Sequence, residues 1–543
     1  MPTLLNHRAM AKIIIDGQTI ECREGIPVLQ AALEAGLDIP HYCYHPGLSI
    51  VASCRLCLME MKLPHPQTKE LVWMPKLVPS CQTPVRDGLE VRFNSELVQQ
   101  NQRHVLEYYL LNHPLDCPVC DKAGECYLQD YTESFGPATS RMVEDKHKNP
   151  KKDIGPHTLL YQDRCVLCTR CVRFTDEIAG AGELKVVNRG ARCEIDVLPG
   201  VPLDNPLQGN VVDLCPVGAL LDKDFLFKQR VWLLQSTKSV SPADSRGSTI
   251  WIDHNDQGIH RIRPRYNEKV NQWWISDEAR FGCKYVQRPD RLSQPRAKAA
   301  GGALRPVRWE ELPDLLRRRF TELAAQDQGA GLAAVLSPRL SCEEAWLLAK
   351  FIRAIAPRAA LVVGFVPIEG EDQVFPKGFV IKAEKCPNRR GVERVAEHFG
   401  GTIMTFGDFL AGAGAGRFRG AYVTAGYPNE WVVRDWLNPL GRIEFLVVHD
   451  LFPSPLDELA AVQIPGASWA EREGTFMNCD GLIQPFERAL VPLEGVKADG
   501  QFFHELAAES GLFRAAKARQ AIAAVMPEFR EVFIPQDVPQ HAH

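Results

Sequence analysis

"AKIIIDGQTIECREGIPVLQAALEAGLDIP", residues 11–40, opens with two short apolar runs around a tight turn. "KIIID" and "TIECR" flank Asp16-Gly17-Gln18, and a glycine in so short a connection predicts a hairpin. "PVLQAALEAGLDIP" then takes helical spacing, with Pro27 suited to a first turn and Gly36 to a position near the C-cap. Residues 11–41 therefore read as strand, turn, strand, helix.

The text on either side fills with cysteine. Of seventeen cysteines, thirteen precede residue 216. The first twelve residues, "MPTLLNHRAMAK", lack the apolar core and cleavage site of a signal peptide and read as a short leader. An odd cysteine count without an export signal argues for a reducing compartment and metal ligation, not disulfides. Cys43, Cys54, Cys57 and Cys81 follow the hairpin and helix at C-x10-C-x2-C-x23-C, the arrangement of a [2Fe–2S] ferredoxin loop with a distant fourth thiolate. The alternative is a four-cysteine structural zinc site. The preceding strands and helix favour iron–sulfur and a β-grasp ferredoxin domain, in which Ala52 and Ser53 let backbone amides approach the sulfurs. His41 and His45 flank Cys43 but, with four thiols available, are expected outside the ligand set.

Further on, "CVLCTRC" supplies Cys165, Cys168 and Cys171, and Cys215-Pro216 completes the pattern of a [4Fe–4S] cubane. Between these groups stands "HPLDCPVCDKAGEC", residues 113–126. Cys117, Cys120 and Cys126 give three corners of a second cubane. His113, four residues ahead, is the preferred fourth ligand by spacing, and His104 in the preceding helical text is its rival. Imidazole in place of thiolate removes a negative charge and on that account raises the reduction potential.

Composition sets wider bounds. A chain of 543 residues exceeds one hydrophobic core and implies several domains. Hydrophobic content of 45% and charged content of 24% are those of an ordinary globular protein. A net charge of -4 with pI near 6.5 gives no global argument for nucleic-acid binding, and none is expected. No apolar run approaches the roughly eighteen residues of a membrane span. Residues 96–112 read as a helix, and "EDKHKNPKKDIGP" (144–156) as a linker. Beyond residue 225, "STIWIDHNDQGIHRIRPR" alternates around a turn. "LAAVLS", "EEAWLLAKFIRAIA", "ALVVGF" and "EFLVVHD" then imply a parallel sheet with helices on its faces. "LAGAGAGRFRGAYVTAG" (410–426) is glycine-rich but does not open a helix after a strand, so it is a weak nucleotide signal. Cys22, Cys193, Cys342, Cys386 and Cys479 lack partners at ligand spacing and are expected to be small buried residues, with Trp273 and Trp274 in the core.

"HPLDCPVCDKAGECYLQD", with the ferredoxin text before it and "YQDRCVLCTRCVRF" after it, resembles the NuoG family, the large iron–sulfur subunit of respiratory NADH:quinone oxidoreductase, complex I. "WWISDEARFGCKYVQRPDRLSQP", "EFLVVHDLFPSPLDELAAVQIP" and "EREGTFMNCDGLIQPFERAL" resemble that family's degenerate molybdopterin-oxidoreductase domain. The resemblance implies that His113 is a ligand. It also implies electron relay, from FMN reduced by NADH on a partner subunit, through one [2Fe–2S] and two [4Fe–4S] clusters toward quinone. The implied partners are an FMN/NADH-binding subunit, a thioredoxin-like [2Fe–2S] subunit, a ferredoxin-like subunit and quinone-site subunits. The implied location is peripheral, on the cytoplasmic side of a bacterial inner membrane, with proton translocation by the whole complex.

The expected organisation is α+β and α/β. It comprises a β-grasp [2Fe–2S] domain at 10–95, a helical His/Cys3 segment at 96–145, a ferredoxin-like [4Fe–4S] domain at 146–228, and a molybdopterin-oxidoreductase-like α/β domain at 229–543 without catalytic cofactor. Some relatives hold a further cubane on a CxxCxxxC set. Here "TKSVSPADSRGS" (237–248) has no cysteine, Ser276 stands at the later ligand position, and Cys283 is alone, so that cluster is expected to be absent. The alternative is a catalytic subunit of an NAD-linked formate dehydrogenase or iron-only hydrogenase. No C-terminal cysteine has the neighbouring histidine expected of the first, and the clustered C-terminal cysteines expected of the second are missing.

Overall fold

In the computed structural model, which describes residues 9–299 and 302–537, Met10–Ile15 (β1) and Gln18–Arg23 (β2) form the expected hairpin, with Ile15 opposite Gln18. The leader reading falls mostly on residues 1–8, outside the described residues. Asp16 turns the chain at φ 51°, which a short polar side chain tolerates, and its carboxylate accepts the Phe93 N–H at 2.8 Å. Val28–Glu34 (α1) buries Val28, Leu29, Ala31, Ala32 and Leu33, and Gly36 follows at φ 82°. Leu58–Pro64 (β3), Leu71–Trp73 (β4), Val78–Pro79 (β5) and Glu90–Arg92 (β6) complete the sheet, in the order β2-β1-β6-β3-β4 with β5 on β3. β1 and β6 run parallel at its centre. Ile13, Ile15, Leu29, Met59 and Val91 pack as one core beneath α1. This is the half-buried sheet and crossing helix that the hairpin text implies.

Glu96–Leu110 (α2) starts at Ser95, whose hydroxyl accepts the Val98 N–H, and Tyr127–Phe135 (α3) packs against it. Then come Lys151–Asp153 (β7), Thr158–Tyr161 (β8), Arg170–Glu177 (α4), Leu184–Val187 (β9), Glu194–Val197 (β10), Asn210–Leu214 (α5) and Leu220–Asp222 (β11). β11-β8-β7 and β10-β9 form two small antiparallel sheets. The linker expected over 144–156 is therefore shorter than its composition implies. Lys151 and Lys152 belong to an edge strand, where Lys152 bonds Asp196 at 2.6 Å and Lys151 lies 4.5 Å from the Tyr161 ring centroid. Charge on an edge strand is how such strands resist further pairing, and in sequence it is indistinguishable from a linker.

The chain divides into two compact units: residues 9–234 with 375–379, and residues 235–374 with 380–536. In the second, Thr249–Asn255 (β13) and Gly258–Pro264 (β14) form the expected pair of strands around the turn, and Gln235–Val240 (β12), not foreseen, pairs with β13; Asp277–Phe281 (α6) follows. Trp274 is buried as expected, whereas Trp273 is only half-buried, because it tilts against Tyr266 with centroids 4.3 Å apart.

Next are Arg296–Lys298 (β15), Leu304–Pro306 (β16), Leu312–Ala324 (α7), Leu332–Leu336 (β17), Cys342–Ile355 (α8), Ala360–Val363 (β18) and the ribbon Gln373–Val374 (β19) with Val380–Ile381 (β20). Arg389–Phe399 (α9), Ile403–Met404 (β21), Phe406–Gly414 (α10), Gly420–Thr424 (β22), Leu437–Leu440 (α11), Phe445–Asp450 (β23) and Val462–Pro465 (β24) follow. The eight-stranded sheet runs β16-β15-β24-β23-β22-β17-β18-β21, parallel from β24 to β21. Leu332, Ala334 and Leu336 of β17 enter one core and Ala333 and Val335 the other, so both faces are covered and the strand reads as one apolar run. The glycine-rich stretch 410–426 is the end of α10 and then β22, the reverse of a strand–loop–helix phosphate site. Phe418 leaves no room for a Cβ at Gly412.

Asp253 on β13 is buried at 1% exposure. Burial opposes its charge, but Arg263 and Arg261, both at 2.7 Å, and the Ser236 hydroxyl hold its carboxyl well below the usual range. A depressed carboxyl pKa adds stability that is complete above the unfolded value near 4 and is lost as pH falls through the folded one. Asp253→Asn should therefore lower the melting temperature of the second unit at pH 7 and lower it by a clearly smaller margin at pH 2, as read by calorimetric melts across that range.

Candidate metal centres

The first set lies in the loop between α1 and β3 and just after β5. Cys43, Cys54, Cys57 and Cys81 are each 3% exposed or less. Ala52 and Arg55 hold the loop at φ 49° and 60°, left-handed conformations that side chains adopt only when the surroundings compel them. That curl brings Ser53 and Cys54 backbone N–H groups to the Cys43 sulfur, while the Tyr42 N–H lies 3.4 Å from Cys54 Sγ. The thiols meet in pairs. Hydrogen bonding from Cys54 holds Cys43 below the ordinary thiol range and raises Cys54; that from Cys81 lowers Cys57 and raises Cys81. In each pair one thiolate is thus favoured over the other, and ligands of a cation must give up their protons. His41 and His45 are buried and not on the surface. The Nδ1 of His41 is 2.8 Å from Ile39 O, and that of His45 accepts the Gly47 N–H.

In the second set, Asp116 precedes a single 3-10 turn, Cys117–Val119. Cys117 is exposed, and Cys120 and Cys126 are buried. Cys126 stands at the N-cap of α3, and the Leu128 and Gln129 N–H groups face its sulfur. His113 is half-buried. Burial pushes its imidazole down to about 4, with Arg164 and Lys146 acting in the same sense and Asp116 opposing, so the ring is neutral at pH 7 and has a free lone pair. His113 and the Cys120 thiol share Asp116 and Arg164 as charged neighbours. His104 is exposed on α2. A Cβ at Gly218 would lie 2.3 Å from Cys120 Sγ. Gly218→Ala should therefore displace the Cys120 thiol and, if this set holds a four-iron cluster, cost about four iron atoms while sparing the other sets, measured by iron content and by the EPR signals that survive.

The third set flanks α4 and α5. Cys168, Cys171 and Cys215 are buried, Cys165 is half-buried, and all four line one pocket with Val166, Ile195 and Leu220. Leu167 and Thr169 take φ 50° and 59°, which turns the Leu167 N–H to 3.4 Å from Cys165 Sγ. The Arg170 N–H likewise faces Cys168. Burial pushes the Cys168 thiol up to about 11 against the opposing charges of Arg170 and Arg173, and burial together with the neighbouring thiols raises Cys165 and Cys171 further. Without a cation these thiols keep their protons.

Sequence reasoning missed the side chains that join the sets. Arg173, 7% exposed, donates to Cys43 O at 2.6 Å, Ser49 O at 2.5 Å and Cys168 O at 3.1 Å. Arg170 donates to Tyr44 O and Leu214 O. Arg164 joins Asp116 at 2.5 Å to Gly218 O at 3.2 Å. No spacing announces them, because their partners are backbone carbonyls far away in sequence. The donor chemistry fits iron–sulfur clusters: three sets of soft thiol ligands, one with a neutral imidazole nearby, in walls lined with amide N–H groups. Among the described residues, no group of three or more His, Cys, Asp or Glu converges as ligands of a single metal ion do.

Outside these sets, Cys22, Cys342 and Cys386 are buried as expected. Cys193 and Cys479 are half-buried, because they lie in turns beside β10 and between Gly474–Met477 and Ile483–Phe486. Ser276 caps α6 by accepting the Ala279 N–H at 3.1 Å. Among the described residues, no helix is long and apolar enough to cross a membrane.

Residues 8–96 match a 2Fe-2S iron-sulfur cluster binding domain, and residues 102–141 an NADH-ubiquinone oxidoreductase-G iron-sulfur binding region. Residues 155–221 match the ferredoxin-like domain of NADH-quinone oxidoreductase subunit 3. Residues 234–284 match an NADH-ubiquinone oxidoreductase NDSU1/NuoG-like 4Fe-4S domain, although Cys283 is their single cysteine. The chain is 38% identical over 371 residues to the NADH-ubiquinone oxidoreductase 75 kDa subunit of Reclinomonas americana, a match covering 67% of this chain and 52% of that one. It is 38% identical over 349 residues to the G subunit of NADH-quinone oxidoreductase from Rickettsia bellii, covering 64% and 48%. It thus spans about half the length of the curated relatives it matches. A solved NAD+-reducing [NiFe]-hydrogenase chain aligns with TM-score 0.36 at 30% identity, over 41% of this chain and 92% of its own. The chain holds ferredoxin-like 2Fe–2S and 4Fe–4S domains with mixed α/β structure, and it is a homologue of the G and 75 kDa subunits of NADH-quinone oxidoreductase over the part of those subunits that it spans.

Proposed function

We propose that this chain is an electron-transfer subunit of NADH:quinone oxidoreductase. In this reading Cys43, Cys54, Cys57 and Cys81 hold a [2Fe–2S] cluster. His113, Cys117, Cys120 and Cys126 hold one [4Fe–4S] cluster, and Cys165, Cys168, Cys171 and Cys215 another. The observation that carries it is that each set lies inside a segment matching an iron–sulfur domain, within one compact unit. When bound, the clusters supply one-electron chemistry, so no residue need act as acid, base or nucleophile. The protein's own work is to hold ligands, to direct N–H groups at sulfur, and to fix one loop against another through Arg164, Arg170 and Arg173.

The domain limits 10–95, 96–145, 146–228 and 229–543 belong to this proposal. So do the partners: an FMN/NADH-binding subunit, a thioredoxin-like [2Fe–2S] subunit, a ferredoxin-like subunit and quinone-site subunits. A peripheral position on the cytoplasmic side of a bacterial inner membrane belongs to it too. The α/β domain is read as a degenerate molybdopterin-oxidoreductase domain without catalytic cofactor, and no fourth cluster is expected near residues 237–283, where a single thiol, Cys283, cannot hold a cubane. Anaerobically purified chain should contain about ten iron atoms and no molybdenum, with one binuclear and two cubane EPR signals on reduction. A zinc-loaded, EPR-silent protein would overturn the assignment. His113→Cys should keep its cluster and lower that midpoint potential by on the order of 100 mV, since a thiolate adds negative charge. His113→Ala should lose the cluster, and redox titration by EPR separates the two.

A further inference from the structure

The order of the parallel strands reverses between β17 and β22, and in such sheets ligands bind beyond the carboxyl ends of the strands at that crevice. Arg339, just past β17, and Pro428 and Asn429, just past β22, line a cavity of about 340 Å³ whose other walls include Phe281, Tyr285 and Trp469. The volume lies at the lower end of the range for small-molecule sites.

The charge on these walls is unbalanced. Arg339 is 6% exposed and donates to Pro242 O at 3.0 Å and Lys385 O at 2.8 Å. Its Nε has no acceptor, and among the described residues no carboxylate stands within ion-pair distance of it. Two carbonyls satisfy donors but do not neutralise a buried cation, which is costly to leave unpaired. The carboxylate on the lining, Glu278, is bonded to Lys385 at 2.5 Å. Trp469, 4% exposed, has an indole N–H with no acceptor. Burial pushes the Tyr285 hydroxyl up to about 12, which keeps it a neutral donor. Arg288, paired with Asp290, and Lys284 add two further cations on the lining.

A buried guanidinium without a counter-charge and aromatic walls together call for a ligand with an anionic head and a planar body. We propose that this cavity binds a phosphorylated mononucleotide, with the phosphate toward Arg339 and the base against the aromatic wall. The space fits one nucleotide and is too small for a dinucleotide. The site shares no residue with the proposed cluster ligands and does not depend on the electron-transfer reading.

Calorimetric titration of the full, cluster-loaded chain with adenosine 5′-monophosphate tests it, with inorganic phosphate and adenosine as controls. The expected result is saturable binding with Kd below about 1 mM, and at least about tenfold weaker binding of either control. Lys284→Gln and Arg288→Gln, both exposed on the lining, should each weaken binding by about fivefold or more without changing iron content or melting temperature. Absence of saturation up to about 5 mM, phosphate binding as tightly as the nucleotide, or an unchanged Kd in both variants would overturn the proposal.

Discussion

Cys168→Ala is expected to strip about four iron atoms from each chain and to leave residues 158–222 unable to hold their native packing. The thiols of this set share a pocket walled by Val166, Ile195 and Leu220, and α4, α5 and β11 all converge on it. The two small sheets beside it, β11-β8-β7 and β10-β9, have strands of only three or four residues, too few to stand alone. With the proposed cluster in place, metal binding would provide folding free energy, which reaches on the order of 10 kcal/mol for structural sites in small domains. The variant should show rapid proteolysis within 158–222 and a loss of visible absorbance larger than four irons alone account for. An intact, protease-resistant chain with only the iron missing would place that free energy in the protein fold instead.

Arg173→Met should have the second largest effect. It removes the donors to Cys43 O, Ser49 O and Cys168 O together, and leaves the Cys43 and Cys168 carbonyls buried. Unmet buried carbonyls cost about 1–3 kcal/mol each, so a loss of about 3 kcal/mol is expected. Because the same guanidinium touches the backbone of two ligand cysteines, the [2Fe–2S] and the Cys165-set EPR signals should be lost together on warming. Arg173→Lys should recover only part, since an ammonium cannot span three carbonyls as a planar fork does. Independent melting of the two signals in the methionine variant would show that Arg173 does not couple the loops.

Much of this was readable because thiol spacing is local. Cys54 and Cys57, or Cys165, Cys168 and Cys171, lie within one loop, and the alternation around Asp16-Gly17 determined its hairpin without help from elsewhere. Apolar runs such as 332–336 gave the parallel sheet for the same reason: both faces are covered, so the strand needs no polar side. What stayed hidden was long-range or backbone-directed. Lys151 and Lys152 form an edge strand that looks like a linker, and the turns at Cys193 and Cys479 left those thiols half-exposed. Arg164, Arg170 and Arg173 carry no signature, since a carbonyl acceptor has no letter in the sequence. The strand order that opens the crevice between β17 and β22 is likewise a property of the assembled sheet.

The unequal burial of the three ligand sets has a bearing on damage and repair. A small oxidant arriving from solvent meets Cys117 first, whereas the sulfurs at Cys43 and Cys81 lie behind a packed wall. Attrition in air should therefore run in sequence, beginning at the centre with the histidine. The same geography would let the proposed His113 centre be refilled after the chain has closed, whereas the set at Cys43 and Cys81 would have to be furnished as it folds.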